Sequence, residues 1–269
     1  GRLTYAVTRD GRPLLLPSRL GFRFADQPPI DSGWAIRDTA RRSHDEWWTQ
    51  PWGEVARVRE QYNELAVGVE EECITVRGLS PPGDGGCRHL TLRVRAFDDG
   101  VGFRYEFPEH PAFRGFSISE ELTEFAFADN PTAWWIPSDR PRMDRSEMLY
   151  SSGPLSLLRK VRTPLTLESR DRRTWLVLHE ADLADYARMN LQGGCIECRT
   201  LRADLAPLAD GVRVRGTAPF HTPWRTIQIA DRVTDLSPAL LGLKLNPPSA
   251  IANTGWIHPM KYVGIWWGM

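Results

Sequence analysis

The chain has 269 residues, 41% of them hydrophobic, which is enough to bury a core and argues against disorder. Thirty-four basic residues balance thirty-four acidic ones, so no net field draws it to nucleic acid or to an anionic membrane surface. No stretch approaches the roughly 18 consecutive apolar residues of a membrane span, and the opening "GRLTYAVTRDG" lacks a charged segment leading into an apolar one, so no span and no signal peptide is expected in this sequence.

The first element, "LTYAVT", alternates apolar and polar residues as a half-buried strand does, and "GFRFA" repeats the pattern. "EVARVREQYNEL" has the length and residue types of a helix, with Val55, Val58 and Tyr62 on one face, but is equally compatible with a strand, as are "LAVGV" and "CITVRG" after it. Leu90, Leu92, Val94 and Ala96 alternate with polar residues, as do Val101, Phe103, Tyr105 and Phe107. This predicts a β-hairpin closed at Asp98-Asp99-Gly100. Further short strands are expected at "LTEFAF", "WLVLHE", "GVRVRG", "TIQIA" and "LGLKL", separated by segments rich in Gly, Pro, Asp and Ser. Twenty-one prolines spread along the chain argue against long helices. The sum is an all-β sandwich of many short antiparallel strands.

Cys73, Cys87, Cys195 and Cys198 are too few for a disulfide scaffold in a chain of this size. Cys195-Ile-Glu-Cys198 lacks the second close pair of a zinc site and the βαβ context of a redox motif, so the four read as ordinary strand cysteines, with a Cys73–Cys87 bridge across a hairpin as the alternative. Glu64 in "YNEL" and Glu106 in "FRYEF" read as cross-strand partners of arginine on an exposed face.

"HEADLADY", His179 to Tyr186, puts three carboxylates at the end of an apolar strand. By spacing alone Asp182, Asp185 and Glu180 are a solvated turn; the functional reading makes Glu180 a hard oxygen ligand for Ca²⁺, which takes six to eight such oxygens and so needs others from elsewhere. Eleven tryptophans, with pairs at Trp47-Trp48, Trp134-Trp135 and Trp266-Trp267, offer flat faces for stacking on sugars, although each pair taken singly is better read as packing. "HTPWRT" reads as a turn with Arg225 bridging loops or pairing with a carboxylate, and no nucleophile, base and orienting residue can be assembled around it. The last segment, "HPMKYVGIWWGM", reads as a strand of a second domain.

The ordered set "GRLTYAVTRDGRPLLLPSRLGF", "PWGE", "YNEL", "DDGVGFRYEFP", "TAWWIPSD", "TPL", "HEADLADY", "HTPWRTIQIAD" and "KYVGIWWGM" resembles the N-terminal part of glycoside hydrolase family 97, bacterial α-glucosidases and α-galactosidases. The resemblance implies a β-super-sandwich over residues 1–255 packed on a catalytic (β/α)₈ barrel whose first strand lies in residues 256–269. It implies an oligosaccharide substrate, a periplasmic or secreted location, and calcium as cofactor, with Glu180 of "HEA" as one metal ligand and Trp266 or Trp267 facing the sugar. The catalytic acid and base belong to the rest of the barrel, so residues 1–269 alone are expected to be inactive and prone to self-association through the uncovered face. A non-catalytic carbohydrate-binding or scaffolding sandwich is the competing expectation.

Overall fold

A computed structural model describes residues 1–50, 53, 55–72, 86–138, 148–194, 198–237, 240–258, 261 and 264. Its strands, in chain order, are β1 (Thr4–Arg9), β2 (Arg12–Arg19), β3 (Phe22–Phe24), β4 (Trp34–Thr49), β5 (Arg57–Glu71), β6 (His89–Phe97) and β7 (Gly100–Phe107). There follow β8 (Phe116–Glu121), β9 (Glu124–Phe127), β10 (Thr132–Trp135), β11 (Ser151–Pro154), β12 (Lys160–Arg162) and β13 (Leu165–Glu168). The last are β14 (Trp175–Ala181), β15 (Met189–Gly193), β16 (Thr200–Leu205), β17 (Val214–Gly216), β18 (Phe220–His221) and β19 (Trp224–Ala230), before one short helix, α1 (Leu241–Leu245).

Among the described residues the strands form three antiparallel sheets. The largest runs β11-β10-β13-β14-β19-β7-β6-β5-β4, with β18 also on β7; a six-stranded sheet runs β1-β2-β9-β16-β15-β12; a three-stranded one runs β17-β8-β3. One continuous core lies between them, drawing Phe103, Tyr105, Phe107, Leu178 and Ile227 from the large sheet, Leu15, Phe125, Leu191 and Leu201 from the second and Phe22 and Ile118 from the third. Phe22 packs edge-on to Tyr105 and Phe116 stacks on Phe107, with centroids 4.6 and 5.2 Å apart. Burying each such ring contributes about 2–3 kcal/mol. The all-β sandwich expected from the sequence is therefore the fold.

Two local expectations resolve. The hairpin of β6 and β7 turns where the sequence places it, with Phe97 opposite Gly100. The helix-or-strand segment after residue 55 is strand, β5, pairing with β4 along its length and with β6 from Asn63 to Glu70.

Two are corrected. "LGLKL" is a helix, because Leu241 and Leu245, four apart, fall on one helical face and cover Trp224 and Phe97 on the outer side of the large sheet. Five residues of alternation do not separate that spacing from a strand. Cys87 and Cys198 are disulfide-bonded, so the reading of ordinary strand cysteines fails for both; Cys73 and Cys195 lie outside the described residues. So does most of "HPMKYVGIWWGM", including Trp266 and Trp267. Among the described residues, no helix is long and apolar enough to cross a membrane.

Candidate functional site

The alternation of β14 answers what the carboxylates of "HEADLADY" do. Leu176 and Leu178 are buried on its inner side, His179 is exposed on the other, and Glu180, next in phase with the leucines, points inward with only 3% of its side chain exposed. Opposite it in register stands Arg225 of β19, just as Ile227 stands opposite Leu178. Glu180 and Arg225 are thus a cross-strand pair forced together by the same periodicity that builds the core.

Arg225 is fully buried and serves two carboxylates. Its Nη1 donates to Glu180 Oε2 at 2.8 Å, while Nε and Nη2 donate to Glu121 Oε1 and Oε2, at the end of β8, at 2.8 and 2.6 Å. The hydroxyls of Thr123 and Tyr186 donate to Glu121, both at 2.8 Å. The backbone N–H of Met189 donates to both oxygens of Glu180, at 3.1 and 3.2 Å.

The remaining carboxylates of the segment shape its return. Asp182 and Asp185 adopt φ of +56° and +50°, a left-handed conformation that short acidic side chains tolerate. The Ala184 N–H closes on the Asp182 carbonyl at 3.0 Å. This double reversal carries Tyr186 and Met189 back onto the cluster that Glu180 opens.

Two carboxylates against one guanidinium leave a buried excess of one negative charge. Burial pushes the Glu180 carboxyl above its usual range despite Arg225 and the Met189 N–H. At Glu121 burial acts in the same sense, but the charge and hydrogen bonds of Arg225 outweigh it and bring that carboxyl below the usual range. Among the described residues no three His, Cys, Asp or Glu side chains gather as a metal site, so the residues present do not build a calcium shell by themselves. They do fit one contribution to such a shell: a hard carboxylate oxygen in a cluster whose charge is of the sign a divalent cation neutralises.

On the opposite face of the large sheet, a ladder of ion pairs crosses from β4 to β7. Arg42, Arg93 and Arg95 converge on Glu64 at 2.7, 2.7 and 2.8 Å, and Arg93 and Arg104 on Glu106 at 2.7 and 2.8 Å. Glu64 is not on an exposed face as the sequence suggested; the three arginine stems bury it to 3%. Trp224 lies on this face, between the guanidinium groups of Arg95 and Arg104 at 4.9 and 4.6 Å. Of the paired tryptophans, Trp134 stacks on Trp175 at 5.3 Å and Trp47, half exposed, carries the Arg57 guanidinium at 4.9 Å. Their partners Trp48 and Trp135 are partly buried. The turn read from spacing holds for Asp182 and Asp185 but not for Glu180, which the phase of β14 buries; Arg225 does pair with carboxylates, and Glu121, whose "SEEL" carries no signal of burial, was missed.

Comparison with known proteins bears directly on this arrangement. Residues 1–248 match the family described as Glycosyl-hydrolase 97 N-terminal. The chain is 23% identical to a retaining alpha-galactosidase of Bacteroides thetaiotaomicron and 28% identical to a probable retaining alpha-galactosidase of Streptomyces bingchenggensis, over 99% of its own length. It spans 41% and 38% of those two proteins. A glycoside hydrolase family 97 enzyme of Pseudoalteromonas sp. strain K8, solved in complex with panose and with acarbose, superposes with a TM-score of 0.88 at 36% identity, covering 98% of this chain and 38% of that one. With a match over nearly its whole length, the chain belongs to the glycosyl-hydrolase 97 N-terminal family.

Proposed function

We propose that this chain is the N-terminal domain of a calcium-dependent, exo-acting glycoside hydrolase of α-glucosides or α-galactosides. In this reading it packs on a catalytic (β/α)₈ barrel and supplies Glu180 as one ligand to a Ca²⁺ ion in the shared active site. The observation that carries the reading is the family match over residues 1–248 in a chain that spans only about two fifths of its relatives. The galactoside arm is supported by the names of the two curated relatives, the glucoside arm by the panose and acarbose complexes of the structural neighbour.

The role of this chain's residues follows from the cluster. Glu180 presents a carboxylate at the end of β14, Arg225 and the Met189 N–H hold it, and the excess negative charge favours a cation beside it. A bound Ca²⁺ orients substrate and tunes neighbouring carboxyl groups. Because other ligands belong to the barrel, docking of the two domains and completion of the metal site become one event. One of Trp266 and Trp267 is proposed to stack on the sugar. The disulfide-bonded Cys87 and Cys198 support a periplasmic or secreted location, since such bonds persist in oxidising compartments.

The test is calcium calorimetry on the full-length protein and its Glu180→Gln variant, with α-glucoside and α-galactoside hydrolysis assayed on both. The variant is expected to lose calcium affinity and turnover together, and the substrate that the parent cleaves names the specificity. Parent-like binding and turnover in the variant would reduce Glu180 to a structural ion-pair residue.

A further inference from the structure

Arg225 divides its guanidinium unequally. One edge, Nε and Nη2, is held side-on by Glu121, and a single nitrogen, Nη1, is left for Glu180. Glu121 is itself fixed by the hydroxyls of Thr123 and Tyr186, and Thr123 is in turn 2.8 Å from the Tyr105 hydroxyl. Glu121, Thr123 and Tyr105 are buried, and Tyr186 is partly buried against the core. A planar fork gripped along one edge has no freedom to turn, so the direction of Nη1, and of the carboxylate that accepts from it, is set by Glu121.

Charge makes the same point. A guanidinium facing Glu180 alone would neutralise that carboxylate and repel a cation approaching it. With Glu121 compensating Arg225, Glu180 is oriented by the guanidinium without losing its charge to it.

We propose that Glu121 and Arg225 are positioning residues for Glu180: Glu121 locks the guanidinium and cancels its charge, and Nη1 aims the Glu180 carboxylate at a divalent cation. The inference rests on the reading of Glu180 as a cation ligand and extends it to the two residues that reach Glu180 through the shared guanidinium.

Calcium titration of the full-length protein tests it. Glu121→Gln keeps the shape of the side chain and leaves Glu180 in place, and is expected to raise the calcium Kd about ten- to a hundredfold, the range for losing an outer partner of a metal ligand. Its turnover should return towards that of the parent as calcium is raised, a rescue that loss of the ligand itself in Glu180→Gln should not allow. Glu64→Gln, which removes a buried carboxylate from the arginine ladder on the other face, serves as the structural control and should lower Tm with an unchanged calcium Kd. If Glu121→Gln behaves like that control, with lower Tm and parent-like Kd, the positioning role is overturned while the ligand reading stands. If Glu180→Gln also binds calcium like the parent, the ligand reading falls and this inference with it. Should Glu121→Gln not fold, Tyr186→Phe removes only one of the hydrogen bonds on Glu121; a Kd raised about threefold supports the proposal and an unchanged one overturns it.

Discussion

At the scale of single residues, two buried glutamates on opposite faces of one sheet meet different fates because of how many arginines each one receives. Glu121 and Glu180 share one guanidinium, whereas three converge on Glu64. Burial works to raise the Glu64 carboxyl, but hydrogen bonds from Arg42, Arg95 and Arg93 bring it down to about 2. A carboxyl lowered on folding stabilises the protein above its unfolded value, about 4.3, and loses that contribution as pH falls through its folded value. The contribution is about 2 kcal/mol once the exposure of Arg42 is allowed for. Glu64→Gln is therefore expected to cost about this much at pH 6, and the gap in urea stability between parent and variant should close as pH falls from about 4 to 2. A gap that stays constant over that range would mean that the ladder's charges contribute nothing there. The same contrast explains what the sequence revealed of the site. "HEA" singled out Glu180 by resemblance while spacing alone left it in a solvated turn, and Arg225 was legible as the partner of some carboxylate. Glu121, 104 residues away from Arg225, was not, because its pairing is decided by how three sheets stack rather than by any local pattern.

At the scale of elements, the helix α1 shows why short apolar alternation misleads and what fixes the outcome. Its leucines lie over β7 at two glycines. A Cβ at Gly102 would come 2.5 Å from the Leu245 Cδ1, a side-chain tip that can rotate away. A Cβ at Gly100 would come 2.4 Å from the Ile227 carbonyl oxygen and 2.9 Å from the Gln228 Cα, in a backbone with φ of +150°. Lys244 ties the helix to the same turn through Asp99, at 2.7 and 2.8 Å. Gly100→Ala should thus cost about 3 kcal/mol, since ladder and backbone both resist. Gly102→Ala should cost about 1 kcal/mol, the scale of a modest overpacking. Urea denaturation of the two variants checks the order; equal costs would show that the β7–β19 backbone yields as easily as a leucine tip. The strands of the β6–β7 hairpin and β14 and β19, by contrast, were legible, because a period of two with one face buried has no helical equivalent; β4, exposed along almost all of its sixteen residues, and the short strands β10 to β13 carry no such period and were missed.

At the scale of the whole molecule, the balanced charge leaves surface electrostatics silent about where the protein works, and the covalent framework speaks instead. Four cysteines in 269 residues look negligible by composition, which is why the sequence alone favoured free thiols; bonding depends on which chain segments the fold brings within bridging distance, and spacing does not report that. In the folded protein Cys87 and Cys198 are both bonded. Cys87 stands just before β6, next to Arg88, which grips Glu71 at 2.7 Å, and Cys198 stands two residues before β16. Each bonded cysteine therefore sits beside the start of a strand, so reduction should loosen strand ends rather than dissolve the core. Iodoacetamide applied to the native protein should leave Cys87 and Cys198 unlabelled by peptide mapping, and should label both once a reductant is added. Removing a native disulfide costs about 2–5 kcal/mol in small secreted domains, and this larger core should hold the loss per bond to the lower end, a fall in Tm of about 2–4 °C per kcal/mol at this chain length. Labelling without reductant would leave the periplasmic or secreted reading with no structural support, whereas protection that vanishes on reduction ties the fold of this domain to an oxidising compartment.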